Sequence, residues 1–226
     1  MDTTDTLLQD AARRLADIRD RMAKAARLAD RKPEETRLIA VSKTFGPEAI
    51  EPLLAAGQRL FGENRVQEAQ AKWPALREKY PDVELHLVGQ LQSNKAVDAV
   101  TLFDVIHSLD RSSLAQALAR AMEKTGRRPA CYVQVNIGQE DQKGGVALDA
   151  LPALLEETRA LNLPVVGLMC VPPVDKEPAP YFALLAKLAR RHGLPRLSMG
   201  MSGDFETAIT LGATEVRIGT ALFGAR

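Results

Sequence analysis

Eight short apolar runs, each followed by a stretch of good helix formers, constrain the fold of this chain more than any other feature. Because parallel strands need crossover connections, strands that alternate with helices in this way are expected to form a parallel sheet. Eight such units in roughly 200 residues predict a closed (β/α)8 TIM barrel of the α/β class. A doubly wound open sheet remains the alternative, since alternation alone does not demonstrate closure. The predicted strands are LIAVSK (38–43), LFGEN (60–64), ELHLVG (84–89), DVIHSL (104–109), CYVQVNI (131–137), VVGLMCV (165–171), RLSMGM (196–201) and EVRIGT (215–220).

The stretches between these runs begin with residues that commonly start helices. They are Pro47, Ser93, Ser112, Asp149 and Asp204. Ahead of the first run, apolar side chains recur at helical spacing over residues 5–30, which predicts an extra N-terminal helix. We expect residues 1–30 to cap the barrel. No linker, low-complexity tract or change in composition marks a second domain, so residues 1–226 are interpreted as one barrel domain.

Composition and charge exclude several classes of function. The chain has 226 residues, of which 46% are hydrophobic, enough for a sizeable core. Thirty Lys and Arg against 29 Asp and Glu give a net charge of +1, which provides no overall field to attract nucleic acid or a membrane surface. The first twenty residues are too charged for a signal peptide, and the apolar stretch 163–174 is broken by prolines and too short to span a bilayer. We therefore expect a cytoplasmic protein with any anion site confined to a local cluster.

The metal-binding residue types show no metal-ligand spacing. Cys131 and Cys170 both fall in strand-like apolar runs and are interpreted as buried, reduced thiols. The three histidines, His86, His107 and His192, are scattered and are interpreted as structural residues. No metal site is predicted.

Polar residues stand where the apolar runs stop, and in a barrel of this kind functional sites lie at the carboxyl ends of the strands. Lys43 ends the first run and, by strand alternation, shares a face with Ile39 and Val41. Such apolar neighbours desolvate the amine and favour the neutral form that imine formation needs. A lysine that simply extends from the barrel mouth into solvent fits the same pattern. The other polar strand ends are Glu63 and Asn64, Gln90, Asp110 and Arg111, Asn136, Ser202 and Gly203, and Gly219 and Thr220.

The last two runs carry the pattern of a phosphate site. Ser202 and Gly203 end a predicted strand directly before a helix, where free N–H groups and the helix dipole favour an anion. Gly219 and Thr220 end the eighth run, and the loops after strands seven and eight commonly bind phosphate in this barrel. A capped helix and a turn glycine would explain each segment separately, but the two together favour phosphate binding.

Arg217 alternates with Val216 and Ile218, which places its guanidinium on the inward face of the barrel. An inward arginine needs an acceptor. A salt bridge in the barrel core and a ring nitrogen of a ligand are both compatible with the pattern. In the second case the ring nitrogen would stay unprotonated, because arginine does not give up its proton.

With these motifs assembled, the chain resembles the pyridoxal phosphate homeostasis protein family, whose fold is like the barrel domain of alanine racemase. The resemblance rests on AVSKTF (40–45), FGENRVQEAQAK (61–72), HLVGQLQSNK (86–95), SLDR (108–111), VNIGQEDQKGG (135–145), GLMCVPP (167–173), SMGMSGDFETAI and VRIGTALFGAR. It implies pyridoxal 5′-phosphate as cofactor, held as a Schiff base on Lys43 beside Asn64. It further implies phosphate contacts from Ser202, Gly219 and Thr220, and Arg217 facing the pyridine nitrogen.

The chain departs from the family pattern in the loop after the fifth run. Gly138 and Gln142 stand where the family more often has serine. The departures concern Lys143, a lysine between flexible neighbours that is interpreted as solvated on a mobile loop, and they leave the predicted cofactor residues intact.

Two classes of function fit a cofactor-binding barrel: a racemase-like enzyme dependent on pyridoxal phosphate, and a carrier that stores or delivers it. Enzymes of the racemase type use a second domain and a second acid–base group, commonly a tyrosine from the partner subunit. The sequence ends at Arg226, just past the eighth run, and none of Tyr80, Tyr132 and Tyr181 falls at a strand end facing the mouth. We therefore predict a monomeric, non-catalytic carrier, with apo-enzymes that need the cofactor as candidate partners. A sugar-phosphate enzyme ranks last, because it gives Lys43 no purpose unless it too forms an imine.

Overall fold

A computed structural model describes residues 3–224 and contains a closed barrel of eight parallel strands. Each strand pairs with the next along the chain, and the last strand closes the ring by pairing with the first in the register Arg37↔Glu215 to Ala40↔Ile218. The predicted (β/α)8 class is confirmed, and the open-sheet alternative is wrong. The strands are β1 (Arg37–Val41), β2 (Leu60–Glu63), β3 (Glu84–Leu87), β4 (Val105–Leu109), β5 (Ala130–Gln134), β6 (Val165–Met169), β7 (Arg196–Ser198) and β8 (Glu215–Ile218).

The helices between the strands begin close to the residues that predicted them. Pro47 and Ser112 are the first residues of their helices. Asp204 directly precedes the helix that begins at Phe205, and Ser93 opens a short 3₁₀ turn before the helix that begins at Ala96. The helices are α1 (Thr3–Leu28), α2 (Pro47–Ala55), α3 (Val66–Lys79), α4 (Ala96–Leu102), α5 (Ser112–Thr125), α6 (Leu151–Ala160), α7 (Ala179–Arg191), α8 (Phe205–Thr210) and α9 (Thr220–Phe223).

The N-terminal helix lies along the side of the barrel. It packs against α2, α8 and α9. Arg14 near its middle donates to the Leu222 carbonyl at 3.3 Å, and Arg31 just beyond its end donates to the Ile209 carbonyl at 2.7 Å. The four residues of α9 are too few to cover the wall between β8 and β1. The helix that was expected to cap the barrel is thus found in the ring of helices, where it takes the place of a helix after β8.

One hydrophobic cluster extends from Leu15 in α1 to Leu222 in α9 and joins the helices to the outer face of the sheet. The inside of the barrel is different, because it includes the buried polar side chains of His86, His107, Ser198 and Arg217. Over residues 3–224, no helix combines the length and the apolar character needed to cross a membrane.

Candidate functional site

A cavity of about 530 Å³ opens at the carboxyl ends of the strands, and all seven predicted site residues line it. Its volume lies within the usual range for small-molecule sites. The loops after β1, β2, β7 and β8 contribute most of its wall, so residues from both ends of the sequence meet there. The predicted residues in the lining are Lys43, Asn64, Ser202, Gly203, Arg217, Gly219 and Thr220, and apolar contacts come from Val41, Phe45, Val88, Val171 and Met201.

Lys43 stands in a tight turn and not on a strand. β1 ends at Val41, and the Phe45 amide donates to the Ser42 carbonyl at 3.1 Å, which closes a four-residue turn. Thr44 within this turn has φ +66°, a conformation that is rare for a β-branched residue and costs about 1–3 kcal/mol. The turn leaves Lys43 exposed, so the desolvation expected from strand alternation is not found. No hydrogen bond or ion pair within residues 3–224 engages its amine.

A buried ion pair that the sequence analysis missed holds this turn in place. Lys72 Nζ lies 2.8 Å from Glu63 Oε1, and the two side chains are 9% and 0% exposed. Lys72 also donates to the carbonyls of Ser42 and Phe45, both at 2.9 Å. Glu63 Oε1 accepts further hydrogen bonds from Ser42 Oγ at 2.6 Å and Trp73 Nε1 at 3.0 Å. The ammonium group of Lys72 therefore binds the backbone on both sides of Lys43 and Thr44 without touching either side chain.

The adjoining wall presents backbone N–H groups. In the loop before α8, Asp204 Oδ1 accepts from the Met201 amide at 2.6 Å, and the Asp204 amide donates to the Met201 carbonyl at 3.1 Å. The N–H groups of Ser202, Gly203 and Thr220 find no acceptor among the described residues. A Cβ added at Gly203 would meet no atom within 4 Å, so the backbone is open there. Unpaired N–H groups beside two hydroxyl groups form a donor set suited to an anion.

Arg217 lies between these walls and is 5% exposed. Its Nη1 donates to Ser198 Oγ at 2.7 Å and its Nη2 donates to the Cys170 carbonyl at 2.9 Å. Burial lowers the pKa of the guanidinium, but an arginine keeps its proton under all ordinary conditions. In the part of the chain that the structure describes, no carboxylate pairs with Arg217, so the salt-bridge interpretation is wrong.

Asn64 follows β2 and borders both the main cavity and a neighbouring recess of about 350 Å³. The chain comes close here, because a Cβ at Gly89 would collide with the Asn64 carbonyl. Lys143 lines only the recess, with its amine 2.7 Å from Glu140 Oε2 and donating to the Pro172 carbonyl at 3.1 Å.

Other reactive residue types lie away from the cavity. Among the lining residues that the structure describes there is no tyrosine, and Tyr132 is buried inside the barrel. Cys131 and Cys170 are free and buried, and burial raises the pKa of each thiol to about 12. Across residues 3–224, no group of three or more His, Cys, Asp or Glu side chains is placed to hold a metal ion.

Comparison with known proteins places this geometry in a family. Residues 14–226 match the family described as alanine racemase, N-terminal domain. The protein of Aquifex aeolicus named pyridoxal phosphate homeostasis protein is 42% identical over 227 residues, which cover 96% of this chain and 99% of that protein. The protein of the same name from Escherichia coli is 39% identical over 237 residues, covering 97% of this chain and 98% of its own length.

Solved structures agree with this relationship. PipY of Synechococcus elongatus, solved without PLP, is 41% identical with a TM-score of 0.83, over 94% of this chain and 99% of its own. The PipY structure with PLP bound is 40% identical with a TM-score of 0.82, over 95% of this chain and all of its own. Alanine racemase from Streptomyces coelicolor is 19% identical with a TM-score of 0.70, over 98% of this chain and 58% of its own, which shows the fold alone. The chain therefore belongs to the pyridoxal phosphate homeostasis protein family, within the wider family of the alanine racemase N-terminal domain.

Proposed function

We propose that this protein binds pyridoxal 5′-phosphate as a Schiff base on Lys43 and serves its homeostasis by storing and delivering it. The observation that carries the proposal is the shared cavity, in which an exposed amine, a set of unpaired N–H groups and a buried arginine meet. The names of the relatives and the PLP-bound PipY structure support it.

The residues present fit the cofactor group by group. Its phosphate requires several N–H and O–H donors, and Ser202, Gly203 and Thr220 supply them beside Gly219. Its ring nitrogen, when unprotonated, accepts a hydrogen bond, which Arg217 can donate because it keeps its proton. When bound, the cofactor supplies an aldehyde that condenses with the Lys43 amine and releases water. Asn64 and the apolar side chains of Val41 and Val88 would line the ring between these anchors.

Each group of site residues then has its own role. The Ser42–Phe45 turn presents the Lys43 amine, and Lys72 holds the turn through its backbone carbonyls. The N–H groups of the loop before α8 bind the anion and fix the end of the ligand opposite the amine. Arg217 orients the ring, because Ser198 Oγ already fixes its Nη1 and the Cys170 carbonyl already fixes its Nη2.

A carrier fits this cavity better than a racemase-like enzyme. Exchange of a proton at an amino-acid α-carbon on both faces needs two positioned acid–base groups. Among the described lining residues, Lys43 is one such group, and Arg217 does not release its proton. The exposure of Lys43 also leaves the linkage open to water and free amines, which favours release. We include in the proposal that the protein acts as a monomer in the cytoplasm, that residues 1–226 form one domain, and that apo-enzymes are recipients.

The linkage is tested by absorption spectroscopy of the protein incubated with pyridoxal 5′-phosphate, followed by borohydride reduction and peptide mapping. We expect a near-visible band and a reduced adduct on Lys43, both absent from Lys43→Ala. Lys143→Ala serves as the matched control and should keep both, because Lys143 lines only the neighbouring recess. An adduct mapped to Lys95 or Lys143 in the wild type would overturn the assignment.

The carrier role is tested separately. The loaded protein is mixed with an apo-enzyme that requires the cofactor, and in parallel it is incubated with L- and D-amino acids in deuterated water. Activation of the apo-enzyme without α-proton exchange supports the carrier. Rapid exchange or inversion that disappears in Lys43→Ala would restore the racemase-like enzyme.

A further inference from the structure

A continuous chain of polar contacts crosses the inside of the barrel and ends at Arg217. It begins at Glu84 on β3, whose Oε1 lies 3.0 Å from His86 Nε2. His86 Nδ1 is 2.9 Å from His107 Nε2 on β4, and His107 Nδ1 is 2.9 Å from Ser198 Oγ on β7. Ser198 Oγ accepts from Arg217 Nη1 at 2.7 Å. His86, His107 and Ser198 are fully buried, so their ring nitrogens and hydroxyl group contact one another and not solvent.

The direction of each hydrogen bond follows from the two ends of the chain. Glu84 can only accept, and it draws the proton of His86 to Nε2, although the approach is too oblique for a well-aligned hydrogen bond. With its proton at Nε2, His86 can accept at Nδ1 from His107 Nε2–H. His107 is neutral because burial lowers its pKa well below the usual range, so its Nδ1 accepts from Ser198 Oγ–H. The remaining lone pairs of Ser198 Oγ face Arg217.

We propose that Glu84, His86, His107 and Ser198 are positioning residues that hold the Arg217 guanidinium toward the cavity as a fixed donor. The inference rests on the proposed function, because Arg217 is taken to meet the ring nitrogen of the cofactor. With Nη1 fixed by Ser198 and Nη2 by the Cys170 carbonyl, the plane of the guanidinium is set before a ligand arrives. Such a fixed donor selects a ligand that offers a lone pair at this point.

The groups around the two imidazoles favour this arrangement. Arg37 on β1 binds Glu84 through Nη1, at 3.1 and 3.2 Å from the two carboxylate oxygens, and binds Glu215 on β8 through Nη2 at 3.0 Å. Tyr132 on β5 stacks on His107 with ring centroids 4.5 Å apart. Burial, the adjacent His86 and the charges of Arg217 and Arg37 all lower the pKa of His107. His107 therefore carries a single ring proton.

The first test needs no cofactor. Nitrogen-15 NMR of histidine-labelled wild-type protein near pH 8 reports which ring nitrogen of each imidazole carries the proton. We expect the Nε2–H tautomer at both His86 and His107, and a mixture of tautomers in Glu84→Gln, because an amide can donate as well as accept. An Nδ1–H tautomer at His107 in the wild type would overturn the proposed direction.

The second test compares the same substitution at two fully buried serines. Ser198→Ala removes a link of the chain, whereas Ser108→Ala removes a buried hydroxyl that has no hydrogen-bond partner among the described residues. Affinity is measured for pyridoxal 5′-phosphate and for the analogue in which a C–H replaces the ring nitrogen. The wild type should prefer the cofactor by about ten- to a hundredfold, the range of one charge-assisted hydrogen bond.

Ser198→Ala should reduce this preference by about tenfold while keeping the affinity for the analogue, and Ser108→Ala should leave the preference unchanged. An unchanged preference in Ser198→Ala would overturn the positioning role, and so would a wild type without any preference. The proposed function fails on a different result, the absence of a borohydride-fixed adduct on Lys43. Should Ser198→Ala not fold, the same ligand preference measured in Glu84→Gln takes its place, and an unchanged preference there would overturn the positioning role.

Discussion

The two walls of the cavity consist of different kinds of chemical groups. The turn wall, residues 42–45 with Glu63 and Lys72, is held by a buried ion pair and contains a backbone conformation of high energy. The loop wall, residues 201–204 and 219–220, consists of backbone N–H groups and short side chains that would contact a ligand directly. This difference between the turn wall and the loop wall fits their roles in the proposed function. An amine that must react has to stay free, so it is held through its neighbours, whereas an anion is bound by the groups that touch it.

Lys72→Met should have the largest effect, because it leaves the Glu63 carboxylate buried without a cation. Breaking a buried pair in this way costs about 3–5 kcal/mol of the free energy of unfolding. We also expect adduct formation on Lys43 to slow by about ten- to a hundredfold, since the turn loses its anchor. Denaturant unfolding and the rate of appearance of the aldehyde–lysine band measure the two effects.

Lys79→Met is the matched control, because it breaks an ion pair with Glu51 whose side chains are 65% and 41% exposed. It should leave the free energy of unfolding nearly unchanged and Lys43 unaffected, because solvent screens an exposed pair. The double variant Glu63→Gln with Lys72→Met separates stability from reactivity, since it buries no unpaired charge. If this double variant reacted as fast as the wild type, the turn wall would not depend on Lys72.

Ser202→Ala tests the loop wall and should leave the free energy of unfolding nearly unchanged. It removes one hydroxyl donor to an anion, worth about 1.5–3 kcal/mol of binding, or roughly ten- to a hundredfold in affinity for pyridoxal 5′-phosphate. Affinity for unphosphorylated pyridoxal is the internal control and should stay the same. Equal losses for both ligands would mean that Ser202 supports the loop and does not bind phosphate.

Thr44→Gly should have the smallest effect and the opposite sign. Glycine adopts positive φ without strain, which gains part of the roughly 1–3 kcal/mol stored at this position. Its greater freedom in the unfolded chain costs about 0.5–1 kcal/mol, so we expect a net increase of about 1 kcal/mol in the free energy of unfolding. Thr44→Ala keeps a Cβ and should gain less. If Thr44→Gly lost more stability than Thr44→Ala, the backbone at Thr44 would not be strained.

The sequence predicts the loop wall more completely than the turn wall. Ser202 and Gly219 could be found because the ends of consecutive parallel strands must meet at one edge of the barrel, whatever the details of the loops. The orientation of Lys43 could not, because the alternation that was extended to it stops at Val41 and nothing in LIAVSKTF signals a positive φ at Thr44. Short-range patterns therefore locate the site but do not fix the conformation of its turns.

The partners of the site residues were also hidden, for two physical reasons. Lys72 lies in a charged helix where the surrounding residues indicate an exposed face, and its burial results from the approach of the turn after β1. His86 and His107 lie far apart in the sequence, but both side chains point into the barrel from adjacent strands. His86 is in register with Val105, two residues before His107. Inward-facing polar residues on consecutive strands are the signal that would have found the chain of contacts behind Arg217.

The position of α1 in the ring of helices has a consequence for how the protein is made. Its contacts join the first and last parts of the described chain, since Arg21 binds Glu206, 185 residues later, and Arg14 binds the Leu222 carbonyl, 208 residues later. At typical rates of synthesis, such partners appear roughly 10 to 40 seconds apart. For that interval the apolar side chains of Leu15, Ile18 and Met22 lack their final cover. Closure of the barrel therefore has to wait until α8 and α9 have been synthesised, and until then this apolar face of α1 stays partly exposed on the nascent chain.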